Sequence, residues 1–197
     1  MSDIPNRPLP IEATDQDLAR LSSENPEAFG ALMERYEAPL LRYIRRLSSL
    51  PNEDAEDILQ ETFIKTYRSI NDYDPDAKFS SWVYRIAHNQ TIDTIRKRRI
   101  DRVSFSIDEN DAAQFLRAST DIGAETERKD LLLRIEVAIR ELPETYREAL
   151  ILRFLEEKSY EEIMDILKLP KGSVATLIHR GKKLLHENMT DAGITRH

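Results

Sequence analysis

The sequence predicts an all-α fold, made of two small helical domains joined by a flexible acidic linker. Three observations predict it. Apolar residues recur at helical spacing through most of the 197 residues. Only 5 Gly are present, and they are scattered, which leaves few places for tight strand turns. Residues 103–128 lose the periodicity and hold six acids against two Arg, so they separate one helical block from the next.

The elements follow in order. Residues 1–14 hold three Pro and read as a flexible lead. Asn25 followed by Pro26 marks a helix start, with Asn25 as N-cap. Phe29, Leu32, Met33, Tyr36, Leu40 and Ile44 then form one apolar stripe, and Pro39 is expected to kink or break that helix. "NEDAEDILQETFIKTYRSI" (52–70) is a second amphipathic helix, burying Ala55, Ile58, Leu59, Thr62, Phe63, Thr66 and Ile70. Its other face carries Asp57, Gln60, Glu61 and Arg68, with Ile64 in their midst. Ile64 is either an ordinary exposed apolar residue or an anchor inside a polar rim. Residues 71–79 form a turn-rich loop, and 80–99 a third helix with Ser80 or Ser81 as N-cap. Its pattern is untidy: Val83, Ile86 and Ala87 share a face with Gln90 and Thr94, and Arg85, Asn89 and Arg96 share another beside Trp82. A helix used on two sides has this pattern, as does a poorly amphipathic one.

The first domain is placed at 15–102 and the linker at 103–126, with a short helical piece at 112–117. The second domain spans 127–188, ahead of a tail at 189–197. Helices are expected at 131–142, ending before Pro143, and at 144–157. The helix 159–167 opens with a capping box, Ser159 to the Glu162 amide and Glu162 back again. A turn at 168–170 leads to a last helix at 171–185 with Val174, Leu177, Ile178, Gly181, Leu184 and Leu185 inside.

Charge is distributed unevenly. The formal net charge is −7, yet Arg96, Lys97, Arg98 and Arg99 form one cationic block, and 171–186 hold four cations and no acid. Two short helices across a three-residue turn, the second one basic, describe a helix-turn-helix; a plain αα-hairpin with a basic end shares the pattern. Small residues at the start of the last helix (Gly172, Ser173, Ala175, Thr176) let a backbone approach a DNA groove, and Arg180, Lys182 and Lys183 reach phosphates. Trp82 and Tyr84 beside Arg85, Asn89 and Arg96 suit a single strand, stacked and neutralised, or else the aromatics are core. An enzyme reading has little support, since the four His lack metal-ligand spacing and neither a Gly-rich phosphate loop nor GxSxG occurs. No metal and no cofactor is expected. With no Cys, disulfides are excluded. "MSDIPNRPLP" has no signal-peptide character, and no apolar run reaches the roughly 18–20 residues of a membrane span. A soluble cytoplasmic setting, without membrane insertion, is expected.

Together, "DAEDILQETF", "WVYRIAHN", "ELPETYREALILRF" and the helix-turn-helix resemble the extracytoplasmic-function (ECF) sigma factors, small two-domain subunits of bacterial RNA polymerase. Residues 15–100 look like sigma region 2 and 127–188 like region 4. The resemblance implies a bacterial core polymerase partner, bound through its largest-subunit clamp helices and its flap. It puts Asp57, Gln60, Glu61, Ile64 and Arg68 at the clamp and turns Ile64 into an anchor. It implies that promoter −10 DNA is read as a melted strand, with a base flipped into a pocket of loop 72–81. The −10 candidates are Tyr73, Lys78, Phe79, Ser80, Trp82, Arg85 and Asn89, with Arg96, Lys97, Arg98 and Arg99 on phosphates. Capturing an extruded base offsets an unstacking cost of about a few kcal/mol. It assigns the −35 duplex to Lys171, Ser173, Thr176, His179, Arg180, Lys182 and Lys183. It also implies an anti-sigma factor as partner.

This chain departs from the family pattern in region 4. Lys168 stands where the family has Gly, which predicts a non-Gly residue at positive φ, and Ala175 and Leu177 replace positions often cationic. Each lost phosphate contact lowers the salt slope by about 0.9. Two other functions compete: a stand-alone helix-turn-helix regulator, which would bind duplex DNA without polymerase, and an interaction module, which would have no effect on DNA.

Overall fold

The structure, a computed structural model, describes residues 13–104 and 124–191, with side chains over 13–100 and 132–190. The described residues form eight helices, α1 to α8.

Helix α1 (Asp15–Leu21) begins the first domain and was not expected from the apolar pattern. It is short, and its signal is a cap: Thr14 accepts from the Asp17 amide, and the Asp17 carboxylate returns to Thr14. Asp15 ties it to the next helix through Arg35, at 2.9 Å, and the Tyr36 hydroxyl, at 2.5 Å. Helix α2 (Pro26–Ser48) starts as expected, with the Asn25 side chain accepting from the Glu27 amide. It continues through Pro39 without interruption. Pro39 costs one backbone bond, but Leu32, Tyr36, Leu40, Tyr43, Ile44 and Leu47 stay buried on both sides of it, and packing outweighs the loss.

Helix α3 (Asn52–Arg68) lies against α2 and buries Ala55, Ile58, Leu59, Thr62 and Thr66. Helix α4 (Phe79–Ser104) begins at Phe79, so Ser80 and Ser81 lie in its first turn and neither is the N-cap. It packs on α2 and α3 along one side and on a helix of the second domain along another. That two-sided burial explains the untidy pattern: Val83, Tyr84, Ala87, His88, Thr91 and Ile92 are all buried.

The expected helical piece at 112–117 lies outside the described residues. Helix α5 (Ala124–Arg140) starts earlier than the periodicity indicates. The segment expected as one helix at 144–157 is instead α6 (Glu144–Leu150) followed by a π-helical turn, Ile151–Leu155. The run Ala149, Leu150, Ile151 and Leu152 is wholly buried. A wider turn lets four successive apolar side chains reach the core, which a regular helix would spread around its circumference.

Helix α7 (Tyr160–Leu167) carries the expected capping box: the Glu162 amide donates to Ser159 Oγ and the Ser159 amide to Glu162. Lys168 has φ 54° and ψ 43°, the left-handed conformation. Its amide and that of Leu169 both close on the Met164 carbonyl. Helix α8 (Lys171–Asp191) is longer than expected and buries Val174, Ile178 and Met189. Gly181 faces Leu150 of α6, so a Cβ there would stand 3.2 Å from Leu150 Cγ. Among the described residues, no helix is long and apolar enough to cross a membrane.

Candidate polymerase and nucleic-acid interfaces

The polar face of α3 points away from the core. Asp57, Gln60 and Arg68 are exposed, Glu61 is half-buried, and Ile64 is 44% exposed. Tyr67, 51% exposed and three residues from Ile64, widens the apolar centre, and its ring meets Phe29 edge-on at 5.0 Å. Sequence reasoning missed Tyr67; its i+3 spacing from Ile64 was the available signal. A large apolar pair inside a charged rim is the layout of a protein-binding surface.

The second face surrounds the start of α4. Tyr73, Phe79 and Trp82 form a mutual aromatic cluster with ring centroids 5.2–5.6 Å apart. Phe79 is buried and packs further on Tyr36, while the Tyr73 hydroxyl donates to the Ala77 carbonyl at 2.5 Å. A cleft of about 260 Å³ opens beside this cluster, lined by Asp72, Asp74, Lys78, Ser81, Trp82 and Arg85. Asp165 and Lys168 of the second domain also line it. Ser81 Oγ is buried there, with no hydrogen-bond partner among the described residues. Sequence reasoning passed over Ser81 as a site residue because it read this position as a cap. Asn89 is exposed two turns further along α4.

The cationic block is not uniform. Arg96 and Lys97 are exposed. Arg98 forms a bidentate pair with Asp54 of α3, and this bond holds the Asp54 carboxyl below its ordinary range. Arg99 lies 3.4 Å from Glu144.

The third face is the outer side of α8. Lys171, Thr176, His179, Arg180, Lys182 and Lys183 are exposed there, and Ser173 is half-buried. Thr176 spends its hydroxyl on the Gly172 carbonyl at 2.7 Å. Lys182 stands 6.0 Å from the exposed ring of Phe154, and Lys183 is 3.9 Å from Glu187. Among the described residues nothing lies within 4 Å of where a Cβ of Gly172 would stand, so the start of this helix is open to a close approach.

Between the domains lies a charged seam. Arg46 of α2 reaches Glu136 of α5 at 2.8 Å, Glu156 at 2.8 Å and the Leu155 carbonyl at 3.0 Å. Burial works to lower the Arg46 pKa, but the Glu156 hydrogen bond and the field of Glu136 outweigh it and raise it. The Tyr84 hydroxyl donates to Glu156 at 3.0 Å; burial and that carboxylate push its pKa far above the usual phenol value. Lys158 sits 3.8 Å over the Tyr84 ring, and burial lowers its pKa. Deeper in, Tyr43 and His88 Nδ1 are hydrogen-bonded at 2.9 Å, and His88 Nε2 is 3.9 Å from Glu148. Burial, helped by Arg96, brings His88 down to about 4, whereas burial, helped by Glu144, brings Glu148 up to about 7.

Two helical bundles with these faces define a two-part nucleic-acid and protein adaptor, and comparison with known proteins says which. Residues 32–100 match the family model of Sigma-70 region 2, and residues 132–185 that of Sigma-70, region 4. The ECF RNA polymerase sigma factor SigW of Bacillus subtilis is 34% identical over 182 residues, covering 88% of this chain and 95% of that one. The ECF RNA polymerase sigma-E factor of Escherichia coli K12 is 31% identical over 181 residues, covering 88% and 93%. Among solved structures, CnrH in complex with the cytosolic domain of CnrY has a TM-score of 0.67 at 26% identity, covering 90% of this chain and 97% of that one. The sigma factor RpoE of Bartonella quintana, solved with the anti-sigma factor NepR, shares the fold, with a TM-score of 0.65 at 21% identity over 82% of this chain and 96% of its own. The chain belongs to the ECF RNA polymerase sigma factors. It is a transcription initiation factor that directs core polymerase to promoters. The stand-alone regulator reading finds no support, because the matches span both domains.

Proposed function

We propose that the three exposed faces divide the work of initiation. The outer face of α3, with Asp57, Gln60, Glu61, Ile64, Tyr67 and Arg68, binds the polymerase clamp helices. The cleft at the start of α4 takes an extruded −10 base between Trp82, Arg85 and Lys78, with Tyr73 and Phe79 packed against the Trp82 ring and Ser80, next to the lining Ser81, also meeting the strand. Asn89, Arg96, Lys97, Arg98 and Arg99 then follow the strand along α4. The outer face of α8, with Lys171, Ser173, Thr176, His179, Arg180, Lys182 and Lys183, lies on the −35 duplex, while the second domain also meets the polymerase flap. Weak contacts on two domains act strongly once polymerase fixes their separation.

The observation that carries this reading is the cleft itself. It joins an aromatic wall, a guanidinium and an unpartnered buried hydroxyl, which together offer stacking, charge and an edge-reading hydrogen bond. The factor acts without chemistry of its own, in the cytoplasm, where polymerase works. CnrH was solved with the cytosolic domain of CnrY, and RpoE with the anti-sigma factor NepR, which supports an anti-sigma partner for this chain too.

Run-off transcription with purified bacterial core polymerase on a promoter library tests the reading. Promoter-specific transcripts that require this chain are expected, and their start sites supply the −10 and −35 sequences. A folded sample that neither binds core nor yields transcripts refutes it.

A further inference from the structure

Arg98 stands apart within the cationic block. Asn89 and Arg96 share the outer side of α4 and are exposed. Thr91, Ile95 and Arg98 follow one another at i, i+4 and i+7 on an inner side, where Thr91 is fully buried and Ile95 packs on the apolar core. Arg98 ends that inner stripe. Helix α3 has a matching one: Asp54, Ile58 and Thr62 share a face, and Ile58 and Thr62 are buried. Asp54 begins that stripe.

The two stripe ends meet. Arg98 Nη1 donates to Asp54 Oδ2 at 2.7 Å, and Nη2 donates to Oδ1. Toward the other end of the helix pair, Lys65 of α3 donates to Gln90 of α4. Residue numbers rise along α3 as they fall along α4, so the helices run antiparallel and the two contacts fix their register.

This geometry leaves Arg98 poorly placed to hold a phosphate. Its two Nη groups form a fork, and one carboxylate takes both prongs. A strand phosphate would have to displace an anion that the fold already keeps within reach, at a high effective concentration. Asp57 lies one turn beyond Asp54, on the face assigned to polymerase. The Asp54 hydrogen bond raises the Arg98 pKa against the effect of burial, and the field of Asp57 adds to the rise. One guanidinium thus answers to both carboxylates at the start of α3.

We infer that Arg98 is a positioning residue: it holds the first turns of α3, Asp57 included, at a fixed offset from the cationic end of α4, so that polymerase on one helix and the strand on the other stay in register. Within the run along α4 it works from behind the strand, and the exposed Arg96 and Lys97 carry the phosphates. This inference deepens the proposed function and rests on its assignment of α3 to polymerase and α4 to DNA.

The test uses the full chain and purified core polymerase, well below the melting midpoint of every variant. Arg98→Ala removes a cation and Asp54→Asn removes an anion. A purely electrostatic effect on core binding would therefore have opposite signs in the two, and a merely structural pair would move only the melting midpoint. Positioning gives one sign: each variant should bind core about threefold to tenfold more weakly, as fits charged hydrogen bonds that are partly exposed. The double variant should be no weaker than either single one, because both remove the same pair. Arg98→Lys should fail to restore binding, since an ammonium cannot form the fork. Labelled mixed-sequence single-stranded DNA, titrated with reconstituted holoenzyme at several salt concentrations, gives the second readout. Lys97→Ala should lower the salt slope by about 0.7, and Arg98→Ala should leave the slope at the parent value. Parent-like core affinity in both single variants, effects of opposite sign, rescue by Lys, or a slope lowered by Arg98→Ala each overturns the inference. Core binding and run-off transcription by the parent chain decide the proposed function separately. If they succeed, a negative result here falls on Arg98 alone; if they fail, both readings fall.

Discussion

The approach of α8 to α6 at Gly181 permits a prediction whose sign the structure decides. Replacing Gly by Ala inside a helix ordinarily stabilises it by about 0.8–1 kcal/mol. At Gly181, however, the new Cβ would lie 3.2, 3.3 and 3.3 Å from three carbons of Leu150. Carbon pairs prefer about 3.5–4.0 Å. Leu150 is fully buried, so its side chain or α6 must give by a few tenths of an ångström inside a packed core. Overpacking of this kind costs about 1–3 kcal/mol. Gly181→Ala should therefore leave the second domain less stable, by up to about 2 kcal/mol. Gly172→Ala is the matched control, because nothing lies within 4 Å of its Cβ position and only the propensity gain remains. Thermal unfolding followed at 222 nm reads the contrast, each kcal/mol moving the midpoint by about 4–8 °C in a domain of this size. If Gly181→Ala stabilises as much as Gly172→Ala, the close approach of α6 and α8 is wrong.

Three further outcomes are expected. His88 ordinarily titrates near 6.5 and is held at about 4, so stability is lost as pH falls through that window; Glu148 ordinarily titrates near 4.5 and is held at about 7, so stability is lost as pH rises through that one. The slopes oppose each other where they overlap, with Tyr43 and Arg96 facing the pair from the first domain and Glu144 and Arg147 from the second. Glu148→Gln should then make stability rise with pH between about 4.5 and 6.5, by up to about 1.4 kcal/mol per unit, and His88→Gln should reverse the slope. Urea unfolding at several pH values checks this, and a flat profile in both variants counts against the shifts. Ile64→Asp, at an exposed position, should leave thermal unfolding within about 0.5 kcal/mol of the parent while weakening core polymerase binding at least tenfold; pull-down titration against core would show otherwise if Ile64 is idle. Ser159→Ala should cost the second domain about 1 kcal/mol by removing one half of the capping box, and an unchanged melting midpoint would mean that the box contributes nothing.

Legibility in the sequence followed locality. The start of α2 at Pro26 and the capping box of α7 were readable because a cap is a contact between residues two or three apart. The left-handed Lys168 was readable only through the resemblance, because the family has Gly at that position of the turn. Most of the missed features lean on a neighbour from elsewhere in the chain. Helix α1 does carry a local cap at Thr14 and Asp17, but it lacks a long periodic stripe and is held by Asp15 on Arg35 and Tyr36. The π-helical turn at Ile151–Leu155 exists because four consecutive apolar residues share one core. The same holds for the sites. Exposure of Ile64 follows from its place on the helix; Tyr67 shares that face at i+3, a signal the sequence carried, and its ring also meets Phe29 edge-on. Trp82 offered two readings, core or DNA; its ring packs among Tyr73 and Phe79, which answers the first, and it lines the cleft on which the proposed DNA reading rests.

The amino-acid sequence by itself determined the helical class, the two domains, the family and the clustering of positive charge along α4 and α8. Those properties rest on periodicity, caps and composition, which act over a turn or two of chain. Tertiary structure alone decided how that charge is used. Arg98 is matched by Asp54, Arg99 by Glu144, and Arg46 by Glu136 and Glu156, in pairs separated by 44 to 110 positions. Charges so far apart in sequence interact only after the backbone has brought them within a few ångströms, because water and salt screen them at any greater distance.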